Sequence, residues 1–120
     1  MPTLSTLELP GSPQEQASWA TETWYWSPAN ELATGAVVSA PTCTVYQYDP
    51  AYAANAADRQ DVTASVLAAG SPFIGGGSYA NTVGLTMHNL APGYEYEVRL
   101  GCTSSDGNKP GRFFRLRCIK

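Results

Sequence analysis

Charge is scarce in this 120-residue chain, at 14% of its residues, and histidine is reduced to His88 alone. Catalysis needs a base, a nucleophile or a metal held in reach of one another. A lone histidine read as the solvated or locally hydrogen-bonded end of a strand supplies none of these, so no catalytic residues and no enzyme are expected. Cations are few: seven Lys and Arg stand against ten Asp and Glu, for a net charge of −3. Binding to a nucleic-acid backbone rests on clustered cations, and the one cluster, Arg112, Arg115, Arg117 and Lys120, reads instead as a solvated strand edge guarded against stray pairing. Nucleic acid is therefore not an expected partner. Cysteine is limited to Cys43, Cys102 and Cys118, an odd number without the short spacings of metal sites, so buried free thiols are expected and no metal or cofactor. Asp49, Asp58 and Asp61 lack calcium-loop spacing. No run reaches the roughly 18 apolar residues of a spanning helix, and no membrane partner is expected. Met1 to Leu9 has neither a basic start nor a long apolar run, so it reads as no secretory signal and synthesis in the cytoplasm is expected.

What the chain does have is apolar content, at 43%, and dense punctuation by nine Pro and eleven Gly. Its length suits one core, and the punctuation cuts the sequence into pieces that suit strands better than helices. Residues 1–15 read as an extended arm, with Pro2, Pro10 and Pro13 around Leu4, Leu7 and Leu9. Three leucines that cannot build a core of their own would gain from burial against a neighbour; without one, the stretch is a frayed terminus.

Residues 16–120 read as a single β-sandwich domain. Trp19 to Trp26 is the first strong strand, with Trp24 and Trp26 on one face as core filler or, less simply, a ligand platform. Ala36–Ser39 and, beyond Pro41, Thr42–Tyr48 follow as further strands. Residues 51–59 hold helix formers in a stretch too short to stand alone, so a turn or loop is expected. Val62 to Leu67 alternates weakly, and Gly75-Gly76-Gly77 lacks the Lys-Ser/Thr of a phosphate cradle, leaving a plain connection.

The last forty residues are the most legible. Val83, Leu85 and Met87 alternate with polar positions; Tyr94, Tyr96, Val98, Leu100 and Cys102 alternate with Glu95, Glu97 and Arg99. That period places Glu95 and Glu97 together on an outward face, where a solvated surface is the simple reading. Asp106-Gly107 signals a hairpin into a final strand carrying Phe114, Leu116 and Cys118.

Leu90-Ala91-Pro92-Gly93-Tyr94-Glu95-Tyr96 resembles the corner between strands E and F of fibronectin type III domains. The resemblance implies an all-β, antiparallel immunoglobulin or fibronectin III-like β-sandwich, with Leu90 ending a strand, Pro92 and Gly93 turning the chain, and the Tyr96 hydroxyl returning to backbone. More broadly, an aromatic strand ending Trp26-Ser27, a Gly/Ala/Val/Ser stretch, a Thr-rich strand, a glycine-rich middle and a hairpin on Ser105-Asp106-Gly107 is similar to the small immunoglobulin-like structural proteins of tailed bacteriophages. This likeness implies a virion protein made in the host cytoplasm, a capsid decoration, cement or head-neck accessory. Its implied partners are phage capsid or neck proteins and sister subunits. Leu4, Leu7, Leu9 and Trp19 are the candidate contact residues. The alternative is a fibronectin-like carbohydrate or surface adhesion module using Trp19, Trp24 or Trp26, and a weaker third is an accessory domain of a hydrolase.

Overall fold

A computed structural model, described over residues 13–28, 32–52, 59–77 and 80–119, is an all-β arrangement of two sheets around one apolar interior. The strands are β1 (Gln14–Ala17), β2 (Glu22–Trp26), β3 (Val38–Tyr48), β4 (Gln60–Asp61), β5 (Phe73–Ile74), β6 (Val83–Met87), β7 (Glu95–Ser104) and β8 (Gly111–Ile119). Five of them form one sheet in the order β1-β8-β7-β3-β4, and three form the other in the order β2-β6-β5. Leu4, Leu7 and Leu9 lie outside the described residues.

The long central strands follow from sequence period. Val98 sits opposite both Val45 and Phe114, so inward positions of β3, β7 and β8 stack across the sheet. With Leu100 and Leu116 they meet Trp26, Val83, Leu85 and Met87 of the second sheet, all nearly or wholly shielded from water. Each such side chain contributes about 1.5–3 kcal/mol of gross burial. Trp24 packs on Phe114 across the layers, ring centroids 5.9 Å apart. Trp24 and Trp26 are thus core, and the ligand-platform reading of that pair fails. At the centre of β6, Gly84 makes room for two aromatics: a Cβ there would lie 2.5 Å from the Phe73 ring. Phe73 and Tyr25 meet edge to face over it, at 6.0 Å.

Four expectations need correction. The sheets are not wholly antiparallel, because β1 pairs with β8 in parallel, Gln14 opposite Leu116 and Ala17 opposite Ile119. The first strand is not Trp19–Trp26: Gln14 and Glu15, assigned to the arm, open β1, and Ser18-Trp19 form a turn before β2. Pro41 does not separate two strands; Ala40, at φ 49°, and Pro41 form a bulge inside the single β3, where a residue without N–H does no harm to the ladder. Last, the weak alternation of Val62–Leu67 does not mark a strand, because the stretch holds one helical turn, α1 (Thr63–Val66). There the Asp61 carboxylate accepts from Thr63 N–H at 3.0 Å and from its hydroxyl at 2.6 Å, bending the chain in a way apolar spacing does not reveal.

What holds β1 in place is Gln16, 1% exposed. Its Nε2 donates to Met87 O at 2.8 Å and to Ala20 O at 3.2 Å, and its Oε1 accepts from Trp24 Nε1 at 2.9 Å. The amide orientation is forced, since indole can only donate and a carbonyl can only accept. One side chain of the five-stranded sheet thereby satisfies polar groups on both β2 and β6. Gln16→Leu keeps the volume but orphans these groups, and is expected to lower the unfolding free energy by about 2–4 kcal/mol in denaturant titration.

Candidate functional site

Two surfaces carry chemistry. The first is the outer face of the five-stranded sheet, where the expectation of a solvated Glu95–Glu97 pair is overturned: both are buried, at 8% and 7% exposure. Register explains it. Glu95 lies between Tyr48 and Arg117, and Glu97 between Tyr46 and Arg115, on the same face as Arg99. Glu97 takes ion pairs from Arg59 and Arg99 on its two oxygens. Glu95 accepts from the Tyr48 hydroxyl at 3.2 Å and faces Arg117 at 3.6 Å. The guanidiniums of Arg59 and Arg99 stack on the rings of Tyr48 and Tyr46, at 4.6 and 4.8 Å. Burial, and then the neighbouring Glu95 carboxylate, push the Tyr48 phenol up to about 12. Its hydroxyl stays protonated and donates. These carboxylates are consumed by structural pairing, so they make no acid–base pair for chemistry.

The second surface is the end of that sheet where β1 leaves and β8 stops. Trp19 is 82% exposed there, on a turn closed by Ala20 N–H to Ala17 O at 3.1 Å and tied to the last strand by Ser18 N–H to Ile119 O at 2.8 Å. Ile119 is itself exposed, and exposed Tyr94 lies one strand further on, its carbonyl accepting from Cys118 N–H at 3.0 Å.

The corner residues come together as one unit. Leu90 is buried in the core, Pro92 and Gly93 (φ 87°) occupy the turn, and Tyr96 is fully buried with its hydroxyl accepting from Ala91 N–H at 2.7 Å and donating to Gln47 Oε1 at 3.1 Å. At the opposite end of β7 the hairpin is tied to the loop before β3. Asp106 accepts from Ala33 N–H and Asn108 N–H, each at 2.9 Å, while the Ser105 hydroxyl accepts from Val37 N–H at 2.8 Å. The backbone N–H groups, that of Ala33 foremost, hold the Asp106 carboxyl down at about 2.

The thiols of Cys43, Cys102 and Cys118 are free; burial pushes all three up, Cys43 to about 12, so none is a ready nucleophile. Among the described residues no group of His, Cys, Asp and Glu is placed to hold a metal ion. His88 follows β6, its backbone N–H bonded to Val66 O at 2.9 Å. Sequence reading missed Gln16, Arg59 and Ile119. Nothing in Gln14-Glu15-Gln16 marks one amide as interior, whereas the Arg115 and Arg117 positions facing Glu97 and Glu95 follow from a hairpin centred near Asp106. No protein-family model, curated protein or solved structure matches the chain.

Two outcomes follow from this geometry. Tyr96→Phe leaves Ala91 N–H and Gln47 without their shared hydroxyl and is expected to destabilise by about 1–2 kcal/mol, read from the shift in denaturant midpoint. For Asp106 the folded pKa, about 2, lies below its ordinary 3.8. A depressed pKa means that its stabilisation is complete above the unfolded value and disappears as pH falls through the folded one. The difference in unfolding temperature between the native chain and Asp106→Asn should therefore be constant above about pH 5 and shrink between about pH 4 and 2.

Proposed function

We propose that this chain is a non-enzymatic structural protein of a tailed-phage virion, a capsid decoration, cement or head-neck accessory protein acting through protein–protein contacts. The observation that carries the reading is Trp19: a large side chain, 82% exposed, on a turn fixed by backbone hydrogen bonds. A large aromatic side chain on an ordered backbone offers much contact area with only its two side-chain torsions left to fix on contact, as binding hot spots do. Directly before that turn stands the edge strand β1, and before it the segment carrying Leu4, Leu7 and Leu9.

The immunoglobulin-like part of the reading draws on connectivity. The order β2-β6-β5 corresponds to strands B-E-D, and β8-β7-β3 to G-F-C, of that sandwich. The Tyr96 hydroxyl bonded to Ala91 N–H fits a tyrosine corner at the start of strand F. Pairing of β1 with β8, in place of a seat beside β2, favours an immunoglobulin-like over a fibronectin-like variant. Such folds serve many tasks, so the function rests on the contact surface. The adhesion-module alternative keeps only Trp19 as a platform, since Trp24 and Trp26 lie in the core.

The test is attachment. Purified chain is mixed with capsid particles of the phage that encodes it, and occupancy is measured by co-sedimentation. The full chain should bind to saturation. A chain lacking residues 2–12 should keep its unfolding temperature within about 2 °C and bind at least about tenfold more weakly. Absence of particle binding by the full chain, together with selective retention on a glycan array that Trp19→Ala abolishes, would establish the adhesion module in its place.

A further inference from the structure

We propose that the apolar end formed by Trp19 and Ile119 is the receptor for the Leu4–Leu9 segment of a second copy of this chain, joining subunits head to tail. This deepens the reading above, because it takes the leucine segment as a contact element and names what it contacts.

Three observations point the same way. First, among the described residues the large exposed apolar side chains are Trp19, Tyr25, Val37, Tyr94 and Ile119, and Trp19 and Ile119 stand together at this end. Ser18 N–H on Ile119 O brings the turn and the last strand side by side. Adjacent exposed apolar side chains on one sheet end offer a contact surface that singly scattered ones do not.

Second, the chain carries its own complementary piece. Residues 1–12 hold Leu4, Leu7 and Leu9 and a single charge on Glu8, and span up to about 40 Å when extended. Third, attachment decides between a subunit's own patch and a neighbour's. The segment joins the fold at Gln14, the end of β1 remote from Trp19, and β1 runs toward the patch. To reach its own Trp19 the chain would have to reverse direction within Pro10-Gly11-Ser12-Pro13 and run back along β1. Reaching a neighbour needs no reversal.

Donor and receptor are different surfaces, so each contact is heterologous: two copies can exchange segments reciprocally in a closed dimer, more copies can close into a larger ring, or the contacts continue as a chain. Each copy has one of each. A copy without its donor and a copy without its receptor can therefore still join once, and only once.

That property supplies the experiment. Sedimentation equilibrium is run on the full chain, on a donor-less chain lacking residues 2–12, on a second donor-less chain with Leu4, Leu7 and Leu9 changed to Ser, and on receptor-less Trp19→Ser. The full chain should associate with rising concentration, to a reciprocally joined dimer or beyond, and each variant should associate at least about 30-fold more weakly. Trp19 projects into solvent, so its substitution leaves folding unchanged. An equimolar mixture of either donor-less chain with Trp19→Ser should give a 1:1 dimer and nothing larger. A full chain that stays monomeric, a Trp19→Ser chain that associates like the full chain, or a mixture that stays at monomer mass overturns the proposal. Loss of capsid binding in the donor-less chains without any self-association to lose would leave the virion reading standing and sink this inference alone.

Discussion

The buried amide of Gln16 is the interaction on which the remaining geometry depends. β1 is only four residues long and lies at the edge of its sheet, paired on one side with β8. Four residues of parallel pairing would hold poorly alone. By bonding Met87 O and Trp24 Nε1, Gln16 turns an edge strand into a tie between the two layers and fixes where the chain turns at Ser18-Trp19. The exposed end and the position from which the N-terminal segment sets out are both consequences of that tie. A buried polar group of this kind adds modest net stability when satisfied, but it penalises every alternative register of β1, because a slip by one residue would swing the amide outward and leave the indole and the carbonyl unpaired.

The outer face of the five-stranded sheet follows a second logic. Glu95 and Glu97 sit at the centre of a net of Arg59, Arg99, Arg117, Tyr46 and Tyr48, in which each carboxylate oxygen has a donor or cation nearby. Long arginine and tyrosine stems cover the carboxylates, so a face that is polar by sequence is shielded in fact. Burying ions gains little energy in itself, and the net is better understood as fixing the pairing of β3, β7 and β8: any shift would set like charges against one another or strand a carboxylate.

Legibility in the sequence follows how far each cause reaches along the chain. Alternation in Val83–Met87 and Tyr96–Cys102, the Asp106-Gly107 turn and the Pro92-Gly93 corner are local, and they predicted β6, β7, β8 and the turns between them. Pro41 misled, because a proline ends a strand only where its missing N–H matters, and at a bulge it does not. Glu95 and Glu97 misled because period gives the side of a sheet and not the cover over it; their partner Arg59 lies 38 residues from Glu97. Gln16 was invisible for the same reason carried further, its Met87 partner lying 71 residues away. Of the proposed contact residues, Trp19 was named from its sequence and Ile119 was not. Aromatic content is written in the chain, but the exposed end of a sheet exists only once β1, β7 and β8 are side by side.

The same topology bears on why an exposed tryptophan is tolerable. An apolar ring left in water gains nothing by folding, and on a loose loop it would also lose much freedom on meeting a partner. Trp19 meets only part of the second penalty. Its turn is closed at both ends by backbone hydrogen bonds and stands directly on the Gln16 tie, so the fold has already ordered the backbone and a contact has only the side-chain torsions left to fix. The first penalty remains, and it is small beside the core formed by Trp26, Val45, Leu85, Val98 and Leu116. The interior therefore sets the stability, the arginine net sets the register, and an end that neither uses is left with a solvent-facing ring on an ordered turn.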